Sequence, residues 1–161
     1  MSALWQWIQK GYLRLVEPMA EWLATRRVSP NTITTIGTIS TVAAGVMFAL
    51  GHISAGGWVL GLTAVFDVLD GRVARRSGRE SVFGAFYDST LDRVSDGAVL
   101  AGLTVFWATA GVRHSLTMVV VCLVAILGSF LTSYTRARAE GLGLAAKVGW
   151  IQRPERIVLL S

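Results

Sequence analysis

Charge is the first thing this sequence is short of. Only 16% of its 161 residues are Asp, Glu, Lys or Arg, against 53% hydrophobic, and the mean hydropathy is +0.55. A water-soluble domain carries roughly a quarter charged residues, so much of this surface is solvated by lipid. Cysteine is nearly absent as well. Cys122 is the single one and lies in an apolar run, which excludes a disulfide framework and a thiolate metal site. The first segment lacks the uncharged core of a signal peptide, because Lys10, Arg14 and Glu17 interrupt every candidate run. Few aromatic residues are interleaved among the charges and the basic residues coexist with long apolar segments, so the net charge of +5 fits an anionic membrane surface or substrate better than nucleic acid.

What is present is helical and apolar. From Ala3 to Ala24, Leu4, Trp7, Ile8, Tyr12, Leu15, Met19 and Trp22 recur at helical spacing among Gln6, Lys10, Arg14, Glu17 and Glu21, which predicts an amphipathic interfacial helix. Thr32 to Leu50 then runs without a charge for about 20 residues, the length of one bilayer crossing. Further crossings are expected from Ile53 through Phe66 into Asp67 and Asp70, from about Val94 to Ala110, and from Leu116 to Tyr134. A fifth apolar run starts at Ile157 and meets the last residue, Ser161, which reads as a domain truncated within a fifth crossing. The expected fold is therefore all-α, a polytopic transmembrane helix bundle in one domain over residues 1–161, with an N-terminal interfacial helix. Gly57 and Gly61, four apart, are assigned to helix packing.

Basic residues cluster in three places: before the first crossing, at 72–79, and at 136–156; the other two connections hold only Arg113. Lys and Arg accumulate on the cytoplasmic side, so these three segments are expected to face the cytosol and carry the chemistry.

All five aspartates, Asp67, Asp70, Asp88, Asp92 and Asp96, fall within one stretch of thirty residues. Asp67 and Asp70 are i, i+3 on one helix, and Asp88 and Asp92 are i, i+4 on the next, so each pair shares a face. Four carboxylates converging at a membrane helix end repel one another and must neutralise or bind cations. Hard oxygen donors select Mg²⁺, or Mn²⁺, over zinc, and four of them suit two metal ions. Gly71, Ala74 and Gly84 leave backbone open to a bulky anion, and Arg75 lies close enough to neutralise phosphate oxygens. The bland alternative is helix-end solvation, with salt bridges to the neighbouring arginines.

The run Asp67-x-x-Asp70-Gly71-x-x-Ala74-Arg75, eight residues, then Gly84-x-x-x-Asp88-x-x-x-Asp92 resembles the signature of the CDP-alcohol phosphotransferases at every position. The resemblance implies a homodimeric enzyme of the bacterial cell membrane in which Asp67, Asp70, Asp88 and Asp92 hold two Mg²⁺ ions on the pyrophosphate of CDP-diacylglycerol. Asp92 would also be the catalytic base. Gly71, Ala74, Arg75 and Ser81 would contact the donor. Pro30-Asn31-x-x-Thr34 is similar to a family segment, so Asn31, Thr32, Ile33 and Thr34 would line the cytidine pocket; helix capping by Ser29 or Asn31 is an equal reading.

The acceptor must be read elsewhere. The segments Ser133 to Glu140 and Gln152 to Arg156 look like those of the actinobacterial branch that makes phosphatidylinositol phosphate. Ser133, Arg136, Arg153 and Arg156 would then bind inositol 1-phosphate, a guanidinium cluster suiting a phosphorylated acceptor. Arg136 and Gln152 depart from the lysine and glutamate expected in many relatives. Positive-inside anchoring is the plain alternative for these arginines. Two other readings stand beside this one: a phosphatidylglycerophosphate synthase using glycerol 3-phosphate, and a non-catalytic divalent-cation-binding membrane protein.

Overall fold

The computed structural model describes residues 16–109, 111 and 114–144. Helix α1 is described over residues 16–25, followed by α2 (Pro30–Ala49), α3 (Ile53–Ser77), α4 (Val82–Thr109) and α5 (Leu116–Gly141). No strand occurs among the described residues, in keeping with the all-α fold expected from helical spacing and the length of the apolar runs. Pro30 stands in the first turn of α2, where its missing N–H costs nothing, and Gly78 ends α3 at φ +61.

Three helices, α2, α3 and α5, are long and apolar enough to cross a membrane. The third expected crossing, from about Val94 to Ala110, falls in α4, which is not one of these three: it starts a dozen residues earlier than the apolar run and carries Asp88, Asp92, Arg93 and Asp96 within one continuous helix. The expected fifth crossing, and the amphipathic helix before Val16, lie outside the described residues. The chain divides into two compact units, residues 1–126 and 127–161.

In the first unit α2 is the central element, packed against both α3 and α4. It meets α4 backbone to backbone. A methyl group added to Gly102 would overlap the backbone of Gly45, and one added to Gly45 would lie 2.5 Å from the carbonyl oxygen of Ala98. Against α3, Gly56 makes room for Phe48, and the Thr41 hydroxyl donates to Thr63 Oγ1 at 3.3 Å. The packing role expected of Gly57 and Gly61 is not observed among the described residues: a Cβ built on either would meet nothing within 4 Å. Small-residue contact is made instead by Gly45 and Gly102, which sit 57 positions apart and form no local motif.

A second contact positions α1. Val16 and Ala20 are buried with Ile33, Leu69 and Val73, so α1 lies on the face of α3 carrying Leu69 and Val73. In the second unit, residues 127–141 complete α5, where the hydroxyls of Thr132 and Thr135 donate back to the carbonyls of Gly128 and Leu131.

Candidate active site

One cavity of about 190 Å³ opens where the start of α2, the end of α3 and the start of α4 meet. It is lined by Pro30, Asn31 and Thr34 from α2, by Asp70, Gly71, Ala74 and Arg75 from α3, and by Arg79 to Ser81, Gly84, Ala85 and Asp88 beyond. Pockets that hold a whole ligand run to roughly 300–1,000 Å³, so this one suits part of a larger molecule.

Helical periodicity explains the lining. At 100° per residue, Asp67, Asp70, Gly71, Ala74 and Arg75 share one side of α3, while Leu69, Arg72, Val73 and Arg76 share the other. Asp70 is 6% exposed. The Thr34 hydroxyl donates to its Oδ2 at 2.7 Å, and the Gly71 N–H donates to its Oδ1 at 2.5 Å. The Arg75 guanidinium folds back over Gly71, with Nη1 3.6 Å from where a Cβ would stand. Gly84 performs the same service opposite: a Cβ there would lie 3.1 Å from Ser81 Oγ and 3.6 Å from Asn31 Oδ1.

Two residues acquire defined local roles. Ser81 caps α4, its Oγ accepting the Gly84 N–H at 2.9 Å. Asn31 is not a cap. Ser29 stands at the N-cap of α2, making no side-chain cap bond, and Asn31 lies inside the helix with its amide oxygen toward Gly84. Beside the cavity, Thr35 and Tyr87 share a hydrogen bond of 2.9 Å that ties α2 to α4 next to Asp88.

Of the expected donor-contact residues, Asn31, Thr34, Gly71, Ala74, Arg75 and Ser81 surround this cavity with Asp70 and Asp88. Thr32 and Ile33 do not. Thr32 is exposed, and Ile33 is 3% exposed in the apolar cluster with Leu69 and Val73, because consecutive helix positions point 100° apart. Asp67 and Asp92 do not line the cavity, although Asp67 stands beside Gly37 of α2 and Asp92 pairs with Arg93 at 3.4 Å. Among the described residues, no three acidic, imidazole or thiol groups stand close enough to grip one ion. The chemistry of the donor set nevertheless fits a hard divalent cation. Every donor is a carboxylate oxygen, and Asp70 is buried where both Asp88 and Asp92 repel it. Ser133 and Arg136 lie on α5 in the unit that begins at Leu127, while Arg153 and Arg156 lie outside the described residues.

Residues 27–160 match the family profile described as CDP-alcohol phosphatidyltransferase. The chain belongs to this family. It is 44% identical over 153 residues to the phosphatidylinositol phosphate synthase of Mycobacteroides abscessus, covering 94% of this chain and 69% of that protein. It is 39% identical to the synthase of the same name from Mycobacterium marinum, over 93% of this chain and 64% of that one. Its fold is similar to that of the Mycobacterium tuberculosis phosphatidylinositol phosphate synthase with CDP-DAG bound. There the TM-score is 0.80 at 37% identity, over 91% of this chain and 73% of the other. The same enzyme in complex with manganese and citrate also aligns with a TM-score of 0.80 and 37% identity, over 89% and 68% of the respective chains.

In this CDP-alcohol phosphatidyltransferase, sequence reasoning missed Arg79 and Glu80 as cavity residues. Both lie in the turn after Gly78, and no helical period reaches them. It also missed the Thr34 to Asp70 hydrogen bond, which spans 36 positions. The two motifs that hold these residues were visible; their contact was not.

Proposed function

We propose that this chain transfers the phosphatidyl group of CDP-diacylglycerol to inositol 1-phosphate, giving phosphatidylinositol phosphate and CMP. The observation that carries this reading is the convergence of Asn31, Thr34, Asp70, Gly71, Arg75, Ser81 and Asp88, distant in sequence, on one cavity. The named relatives support the choice of acceptor.

Asp67, Asp70, Asp88 and Asp92 would hold divalent metal, two Mg²⁺ ions being the finer expectation from four carboxylates. When bound, such ions supply Lewis-acid polarisation of the pyrophosphate and neutralise charge on the departing CMP. The remaining chemistry is the chain's own. Gly71 and Gly84 leave room for a phosphate against two helices, and Arg75 holds its oxygens by charge-assisted hydrogen bonds. Asn31 offers an amide toward the cytidine. Asp92 takes the proton of the acceptor hydroxyl as that oxygen attacks the β-phosphorus, and the phosphoanhydride bond to CMP breaks. Ser133, Arg136, Arg153 and Arg156 would hold the acceptor phosphate. A homodimer in the bacterial cell membrane with its site facing the cytosol belongs to the same reading, the basic segments supporting that orientation.

The test is conversion of CDP-diacylglycerol by the purified chain with inositol 1-phosphate or glycerol 3-phosphate. The expected product is phosphatidylinositol phosphate. Product from glycerol 3-phosphate alone overturns the acceptor, and cation binding without CMP release overturns the enzyme.

A further inference from the structure

Arg72 and Arg76 occupy unspecified positions of the signature and point away from the cavity, on the side of α3 that carries Leu69 and Val73. Both meet Glu17 of α1. Its Oε2 pairs with Arg72 Nη1, and its Oε1 accepts from Arg76 Nη2 and, at 2.9 Å, from Arg76 Nε. Arg76 Nη1 reaches onward to Glu21 at 2.7 Å. One carboxylate thus bridges two guanidinium groups that are one turn apart on the helix bearing Asp70 and Arg75.

From this geometry we propose that Glu17 is a positioning residue, setting the rotation of the last turns of α3 about their own axis and so the aim of Asp70 and Arg75 into the cavity. The inference rests on the proposed function for what the cavity binds. The apolar contacts of Val16 and Ala20 hold α3 against α1 but resist rolling weakly, because dispersion is non-directional. A forked ion pair on two successive turns is directional. Rolling a helix by about 20° carries an atom ~5 Å from its axis by about 2 Å. Misplacement of 1 Å at a reacting centre is enough for a loss of about 10²-fold. The pair needs little intrinsic strength to matter here. Glu17 and Arg76 remain partly in solvent, at 34% and 41% exposure, and Glu17→Gln keeps the shape and a hydrogen-bonding oxygen, so it should disturb the site more than the fold.

The test uses the full chain in detergent micelles, in a Cys122→Ser background with Ala74→Cys as a reporter facing the cavity. Glu17→Gln is expected to change the rate of Ala74→Cys modification by a small charged thiol reagent at least threefold. Without the reporter, Glu17→Gln should lower kcat/KM for CDP-diacylglycerol about tenfold with the unfolding temperature little changed. Reversing the whole cluster, Glu17→Arg and Glu21→Arg with Arg72→Glu and Arg76→Glu, keeps every pair of opposite charges and is expected to restore both readouts. Unchanged reporter kinetics in Glu17→Gln, or failure of the reversal to restore them in a folded protein, overturns the proposal. If the unsubstituted chain releases no CMP while the reporter still responds and is rescued, the functional reading falls and the positioning role of Glu17 stands.

Discussion

The two sides of the last turns of α3 differ in what each does with its arginines. On one side Arg72 and Arg76 are held by Glu17 and Glu21 over an apolar seam of Leu69 and Val73. On the other, Arg75 lies over Gly71 at the mouth of a cavity, and no carboxylate among the described residues pairs with it. Asp70 repeats the pattern. It is buried like Leu69 beside it, yet it faces two like charges and is held by a hydroxyl rather than a cation. One side is tied to α1, whereas the other opens on the cavity that the proposed function assigns to the ligand. Charges that a fold leaves for a ligand are the ones that repay mutation in activity rather than stability.

The strongest way to break this contrast is Asp70→Asn. It should cut CMP release about 10³-fold while leaving the unfolding temperature close to that of the unsubstituted protein, because it removes charge from the ligand side and keeps shape and one acceptor for Thr34. Equal losses of activity and stability would mean that Asp70 serves the fold. Next comes Thr34→Val, isosteric but without the hydroxyl that orients Asp70. Mn²⁺ affinity, measured by electron paramagnetic resonance on the purified chain, should weaken about 10–100-fold, the usual range for the partner of a ligating group. Val73→Ala probes the opposite side. Val73 is fully buried, so the expected outcome is destabilisation of about 1–2 kcal/mol in thermal unfolding, with kcat per folded molecule little changed. The smallest effect belongs to Gly57→Ala, where a methyl group meets nothing within 4 Å; removing a glycine from the helix should raise stability by about 0.5–1 kcal/mol in thermal unfolding and leave activity unchanged.

Much of the site was legible because it is written in helical periods. Asp67, Asp70, Gly71, Ala74 and Arg75 share a side of α3 whatever else the chain does, and eight signature residues at fixed spacing name the chemistry of that side. Thr32 and Ile33 follow the same logic: between Asn31 and Thr34, which face the cavity, the period turns them elsewhere. Gly57 and Gly61 are a separate case, since a Cβ on either meets no described residue within 4 Å. A small-xxx-small pair shows that a close approach is permitted, not that a helix comes there. The approach is made at Gly45 and Gly102, where α2 crosses α4.

By itself the sequence determined the all-helical membrane class, the family, and which residues share a helix face, since composition and the 3.6-residue period are properties of single segments. Only the tertiary structure decided the partners. Thr34 meets Asp70, Glu17 meets Arg72 and Arg76, Thr35 meets Tyr87, and Gly45 meets Gly102. Each of these contacts depends on how far one helix slides and turns against another, and no period within a single helix encodes that register.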